Sequence, residues 1–333
     1  MKTVLILGAN GRFGQAATQA FVAAGWRVLA QMRRAPVAPL PAGASALHSN
    51  LDDTAGLVAL ADGATVVLHA VNPVYTRWNA EAMPALQHGL KVAQALGALF
   101  MLPGNVYNHG QQMPALLTPA IAQNPSSSLG RIRVAMEAAM QAQAARGLNS
   151  VVIRAGDFYG CGTGSWLDLA IAKDIARGKL VYPGPLDAAH AWAYLPDLAR
   201  AFVAVAAAPV QRGFQSLNFA GHTLTGREFL AVLREAALAQ GLRPASGFKT
   251  GGMPWGVIRA VGLVYPSWRE LARMSYLWRL PHALDGTALA RAVGPLPSTP
   301  VQQALRAALA DLGHGAQPTS PVPTPTHLTR SFT

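Results

Sequence analysis

The chain has little acid, almost no cysteine and no long apolar run. Its 333 residues carry 15 aspartates and glutamates against 27 lysines and arginines, a net charge of +12. The lone cysteine, Cys161, excludes an internal disulfide and suits a reducing compartment. No stretch of about 18 apolar residues runs free of charges and helix breakers, which argues against a membrane-spanning helix. Met1-Lys2-Thr3 leads into an apolar stretch too short for the core of a secretion signal. It reads as a strand, and the expected location is the cytoplasm. The basic residues form no dense run: Arg33-Arg34, Arg131 and Arg133 are scattered, with no aromatic-basic motif. Nucleic acid is therefore not an expected partner, and no metal is expected either.

What is present is a half-apolar chain with a repeating order of elements. Val4-Leu5-Ile6-Leu7 is a continuous apolar run, as in a strand buried on both faces. Phe13, Ala16, Ala17, Ala20, Phe21 and Ala24 then recur at helical spacing, closed by Gly25. Strands are predicted at 27–31, 65–70, 98–102, 150–154 and 215–219. Helices are predicted at 54–61, 80–96, 129–146, 165–177, 196–207 and 226–240, with Ser126, Ser127 and Ser128 as N-caps for the fourth of these seven, counting the first at Phe13–Ala24. Strands alternating with helices imply right-handed parallel crossovers and a doubly wound α/β sheet of the Rossmann type. The expected division is a dinucleotide-binding domain over 1–160 and sheet completion with a smaller, mostly helical lobe over 161–312. The Pro/Thr/Ser-rich tail over 313–333 is expected to be disordered.

Gly8-Ala9-Asn10-Gly11-Arg12-Phe13-Gly14 follows the first strand and opens the first helix. The first glycine permits the tight turn, the second lets backbone approach a pyrophosphate, and the third lets helix pack on strand. Unpaired N–H groups and the positive end of the helix dipole would face the phosphates. The spacing resembles that of the short-chain dehydrogenase/reductase superfamily, and further segments resemble its extended, NAD-dependent epimerase/dehydratase group. Asn50-Leu51-Asp52-Asp53 is similar to the segment that holds adenine, and His69-Ala70-Val71-Asn72 to the one lining the cofactor after the fourth strand. Leu102-Pro103-Gly104-Asn105-Val106-Tyr107 is similar to the end of the fifth strand, where the group carries a serine. Arg154-Ala155-Gly156-Asp157-Phe158-Tyr159-Gly160 and Tyr194-Leu195-Pro196-Asp197-Leu198-Ala199 resemble later segments, and Thr299-Pro300 resembles the approach to a last helix. The resemblance implies that Gly8, Asn10, Gly11, Arg12, Phe13, Gly14, Asn50, Leu51, Ala70, Val71 and Asn72 bind a nicotinamide dinucleotide.

A site preferring NAD places an acid after the second strand, to accept from ribose hydroxyls. Here Gln31-Met32-Arg33-Arg34 stands instead, and no acid follows until Asp52. Arg33 can bind a 2′-phosphate through paired charged hydrogen bonds, and Arg12 is a second candidate for it. NADP(H) is the expected cofactor, with NAD(H) left open. The catalytic Tyr-x-x-x-Lys of the superfamily is missing: no tyrosine has lysine four residues on, and 108–158 holds neither residue type. Leu129 and Arg133 stand where the pair would fall. Leu129 cannot move a proton, whereas Arg133 can still donate to ribose hydroxyls. Three readings follow. The first is an oxidoreductase or epimerase/dehydratase-type enzyme on a small, apolar carbonyl or alcohol. Its proton donor is relocated, with Tyr107, Asn105, Arg133 and Asp157 as the tentative catalytic set and Tyr159 and His190 as further acids. The second is a catalytically inert NADP(H)-sensing or ligand-binding protein. The third is a lyase or isomerase that uses the cofactor internally. Trp166, Trp192, Trp255, Trp268 and Trp278 suggest an apolar pocket, and the basic, aromatic segment 255–278 is either an ordinary amphipathic helix or a partner- or membrane-facing one.

Overall fold

A computed structural model describes residues 1–209 and 212–314. Seven parallel strands form the central sheet: β1 (Thr3–Leu7), β2 (Arg27–Met32), β3 (Ala44–His48), β4 (Val66–His69), β5 (Leu99–Gly104), β6 (Ser150–Arg154) and β7 (Phe214–Asn218). Their order is β7-β6-β5-β4-β1-β2-β3. The chain winds one way from β1 to β3 and the other way from β4 to β7, so the crossovers part between β1 and β4. Ligands of doubly wound sheets bind at such a point, outside the carboxyl ends of the strands. Leu7 at the tip of β1 pairs with Gln31 on one side and His69 on the other, which places these side chains around the crevice.

The interior strands β1 and β6 are buried at every position, as their apolar runs require. The strand β3 is absent from the sequence reading: it is a half-exposed edge of small residues, Ala44-Ser45-Ala46. The helices α1 (Arg12–Ala23), α2 (Thr54–Leu60), α3 (Trp78–Leu96), α4 (Ser128–Ala144) and α5 (Leu195–Ala207) cover the two faces. Ser127 caps α4 by accepting from the Gly130 N–H at 3.0 Å. Phe13 of α1 meets Phe202 of α5 edge-on at 5.0 Å on one face of the sheet. Leu86 and Leu90 of α3 and Met136 and Met140 of α4 are buried with Phe100 on the other.

A smaller lobe stands over the carboxyl ends. It contains a three-stranded sheet of Asp157–Tyr159, Ala189–Tyr194 and His222–Thr225. Around it lie α6 (Gly226–Ala239), α7 (Trp255–Val261), α8 (Pro266–Arg273) and α10 (Val301–Asp311), while α9 (Thr287–Val293) packs on β7 and α5 of the central layer. The single helix expected over 165–177 is instead two short turns, Leu167–Ile171 and Ile175–Arg177. The apolar spacing is helical, and Asp168 caps the first turn by accepting from the Gly164 and Ser165 N–H groups, but after Ala172 the chain turns back and Asp174 bridges with Lys179. A polar strap ties the lobe together. Asp197 accepts from the Thr299 N–H and hydroxyl, both at 2.7 Å; His222 reaches the Thr299 carbonyl at 2.8 Å; and Tyr159 bonds His222 at 2.8 Å. The expectation of disorder over 313–333 falls almost entirely outside the described residues.

Candidate active site

The sheet's carboxyl edge and the lobe enclose a cleft of about 1360 Å³. One end is the glycine loop. Gly8 has φ +78°, and a Cβ on it would sit 3.0 Å from the Val71 backbone. A Cβ on Gly14 would lie 2.5 Å from the Gly8 carbonyl, so Gly14 is required for the approach of α1 to the loop. Gly11 caps α1 without a side-chain bond, and the first turn holds no acid. The N–H groups and positive dipole end of α1 are thus left for an anion.

Arg33 and Arg34 line the far side of this end, exposed and without an ion pair among the described residues. Asn10 anchors their loop, donating to the Arg34 and Ala35 carbonyls at 3.3 and 3.0 Å and accepting from the Val37 N–H at 3.2 Å. Asn50, Leu51 and Asp52 complete the wall. Arg12 turns the other way. Its guanidinium donates to the Gly160 carbonyl at 3.3 Å, and burial lowers its pKa against the opposing charge of Asp168. It ties the glycine loop to the lobe rather than standing beside Arg33.

Beyond the loop, two tyrosines from different crossovers meet. The hydroxyls of Tyr75, after β4, and Tyr107, after β5, are 3.1 Å apart. Asn105 accepts from the Tyr107 N–H at 3.1 Å and holds that turn. Arg133 lies over the Trp78 ring at 4.8 Å and donates to the Pro103 carbonyl at 3.1 Å, while its buried Nε has no partner. Leu129 sits beside them, lining the cleft one turn earlier on α4. Burial, then the neighbouring Tyr75 and Asp157, pushes the Tyr107 hydroxyl well above the ordinary tyrosine range. It keeps its proton at any working pH and is a donor, not a base. Burial and then Arg133 press His69 down to about 3, which keeps it neutral.

Asp157 lines the lobe side of the cleft, and His190 stands behind it, Nε2 to Oδ2 at 2.8 Å. His190 is buried on a strand, stacked on Trp278 at 4.2 Å and edge-on to His282 at 4.6 Å. Tyr159 does not face the cleft at all, because its hydroxyl is spent on His222 within the lobe core.

The family model described as the NAD dependent epimerase/dehydratase family matches residues 4–219. The chain belongs to that family. Solved structures agree on the fold. WbmH of Bordetella bronchiseptica in complex with NAD+ is 16% identical, with 95% of this chain and 100% of that chain covered and a TM-score of 0.73. L-threonine dehydrogenase of Clostridium difficile is 17% identical over 95% and 99%, with a TM-score of 0.72. MoeE5 in complex with UDP-glucuronic acid and NAD is 19% identical over 93% and 98%, with a TM-score of 0.69. No curated protein matches this chain by sequence.

Within the epimerase/dehydratase frame, the expected cofactor residues fall in one place. Gly8, Asn10, Gly11, Arg12, Phe13, Arg33, Asn50, Leu51, Ala70, Val71 and Asn72 all line the cleft, as do Asn105, Tyr107, Arg133 and Asp157. Gly14 lies behind the loop, in a packing role. Trp166, Trp268 and Trp278 line the lobe side, whereas Trp192 is buried core. Tyr75 was missed by the sequence reading, since nothing local marks a half-exposed tyrosine in a loop as a partner for one 32 residues away. Among the described residues no helix is long and apolar enough to cross a membrane.

Proposed function

We propose that this chain is an NADP(H)-dependent oxidoreductase acting on a small, largely apolar carbonyl or alcohol, with Tyr107 as the proton donor. The observation that carries the reading is the Tyr75–Tyr107 hydroxyl pair in the same cleft as the glycine loop. The loop fits a dinucleotide on its own geometry: Gly8 and Gly14 leave no room for a Cβ, and the first turn of α1 is uncapped and free of acid. Gly11 and the α1 N-terminus would hold the pyrophosphate, Arg33 with Arg34 the 2′-phosphate, and the guanidinium of Arg133, which lines the cleft, a ribose hydroxyl. Bound there, the nicotinamide supplies or accepts a hydride.

The protein's own residues supply the rest. Tyr107, protonated by burial, can donate to an oxygen presented above it, and Tyr75 can accept from or relay to Tyr107 across 3.1 Å. Asp157, oriented by His190, offers a carboxylate on the opposite wall for a substrate hydroxyl or a proton. Trp166, Leu169, Trp268 and Leu271 make that wall apolar and favour an aromatic or aliphatic substrate.

The test has two stages. Tryptophan fluorescence titration should show NADPH binding, and Arg33→Ala should weaken it about 10- to 100-fold, in line with one charged bidentate contact, while leaving NADH unaffected. Equal loss for both cofactors refutes the 2′-phosphate assignment. A panel of aromatic and aliphatic ketones and aldehydes is then followed by NADPH absorbance. Tyr107→Phe should cut turnover by roughly 10²- to 10⁴-fold without altering NADPH affinity. Full turnover in Tyr107→Phe refutes the donor, and tight binding with no turnover on any compound favours the sensing reading.

A further inference from the structure

One wall of the cleft has a second face. Between residues 270 and 279, Leu271, Met274, Leu277 and Trp278 look into the cleft, while Arg273, Ser275, Tyr276 and Arg279 line a separate cavity of about 450 Å³. Its other walls are Ser126–Ser128 and Arg131 at the start of α4, and Arg259 of α7. Four guanidinium groups from three segments therefore share one small cavity. Only Arg273 has a counter-charge: Glu270 accepts from it at 2.6 Å and from the Ser128 hydroxyl at 3.2 Å. Arg131, Arg259 and Arg279 form no ion pair among the described residues. The side chain of Tyr276, 3% exposed, approaches Ser126 and Ser127 with its hydroxyl and completes no hydrogen bond.

We infer that this cavity is a second binding site, distinct from the cofactor cleft, for a small phosphate-bearing anion. Clustered guanidinium groups repel one another unless an anion sits between them, and their planar forks match phosphate oxygens pairwise. The hydroxyls of Ser126 and Ser127 and the N–H groups of Ser128 and Leu129 in the first turn of the 17-residue α4 add neutral donors. The volume suits a phosphorylated small molecule or a headgroup, and it is a third of the cleft's. Two sources share this chemistry. One is a free phosphorylated metabolite. The other is an anionic lipid headgroup, because the turn joining α7 to α8 exposes Leu263 and Val264 by 79% and 74%. Arg269 satisfies the carbonyls of Gly262 and Leu263 at that turn, at 3.0 and 3.1 Å.

Calorimetric titration with inorganic pyrophosphate and sedimentation with phosphatidylcholine vesicles carrying phosphatidic acid separate the two sources. Both are run with NADH saturating the cofactor cleft, so that the glycine loop is covered, on the wild-type protein, on R259A/R279A, on Arg131→Gln and on R33A/R34A. The expected result is binding that weakens at least about tenfold in R259A/R279A and in Arg131→Gln but is kept in R33A/R34A. Pyrophosphate binding with that pattern assigns a free ligand; vesicle binding alone with that pattern assigns a headgroup. The arginines are exposed, so an unchanged thermal midpoint is expected to show intact folding, and Arg131→Gln on a different helix carries the test if the double variant does not fold. Absence of binding to either probe overturns the inference. So does binding that R259A/R279A leaves unchanged, or that R33A/R34A abolishes.

Discussion

Removing the carboxylate of Glu137 should be among the most damaging single changes outside the cleft. Glu137 of α4 is buried and accepts four hydrogen bonds: from Arg154 Nε and Nη2 at 3.1 and 2.6 Å, from Asn108 at 2.9 Å and from Gln123 at 2.7 Å. Arg154 at the tip of β6 is equally enclosed, the two side chains being 4% and 3% exposed. Glu137→Ala leaves the guanidinium buried without a counter-charge, and breaking such a pair costs about 3–5 kcal/mol. For a chain of this size that lowers the thermal midpoint by roughly 4–7 °C. Replacing both charges, as in E137L/R154M, removes the stranded ion and should cost only about 1–2 kcal/mol, from the donors left on Asn108 and Gln123. Urea unfolding at constant m-value measures all three variants, with Arg154→Met as the other single. Additive losses, with the double variant as unstable as the sum of the singles, refute the stranded-charge reasoning.

Gly14→Ala should lose cofactor affinity and about 1–3 kcal/mol of stability, because the new Cβ meets only backbone, at 2.5 to 2.9 Å; Gly256→Ala, with nothing within 4 Å, is the control. Acid should unfold the protein early: burial holds His69 at about 3 and His282 at about 4, below the ordinary 6.5. Both are depressed, so their stability is full above pH 6.5 and is lost on descent, about 2 kcal/mol each between pH 6.5 and 5. His69→Asn should roughly halve the drop in thermal midpoint over that range, and an unchanged drop refutes the assignment. Asp197→Ala removes the acceptor for both Thr299 bonds and should cost about 2–3 kcal/mol. Limited proteolysis near Pro300 should then accelerate ahead of cleavage elsewhere.

Much of this was legible because it is local. The strands at Val4 and Val151 are apolar runs with no alternative, and the glycine spacing at 8, 11 and 14 carries its own geometric reason. The edge strand Ala44–His48 was not legible, since an exposed strand of small residues has neither the alternation nor the bulk that marks one. The Leu167–Arg177 segment misled, because apolar spacing cannot reveal that the chain turns back after Ala172 to bridge Asp174 with Lys179. Arg12 could not be placed from its position in the loop, as its partner is a carbonyl 148 residues away. The absence of a Tyr-x-x-x-Lys spacing was plain, but the Tyr75–Tyr107 contact was not, because the two meet only through the order of β4 and β5 in the sheet.

Gln31 sets a limit on which side chains position 31 can carry. Its carboxamide occupies the end of β2, where an NAD-type site carries an acid, and it uses both ends: the oxygen accepts from Gly8 N–H at 2.9 Å, and the nitrogen donates to the Ser49 carbonyl at 2.6 Å. A carboxylate could keep the first bond but has no donor for the second, and would set two oxygens against each other. Gln31 is thus the pin joining the glycine loop to the sheet's outer edge. Installing an acid at position 31 therefore takes a paired change, with a donor supplied from the Ser49 side first.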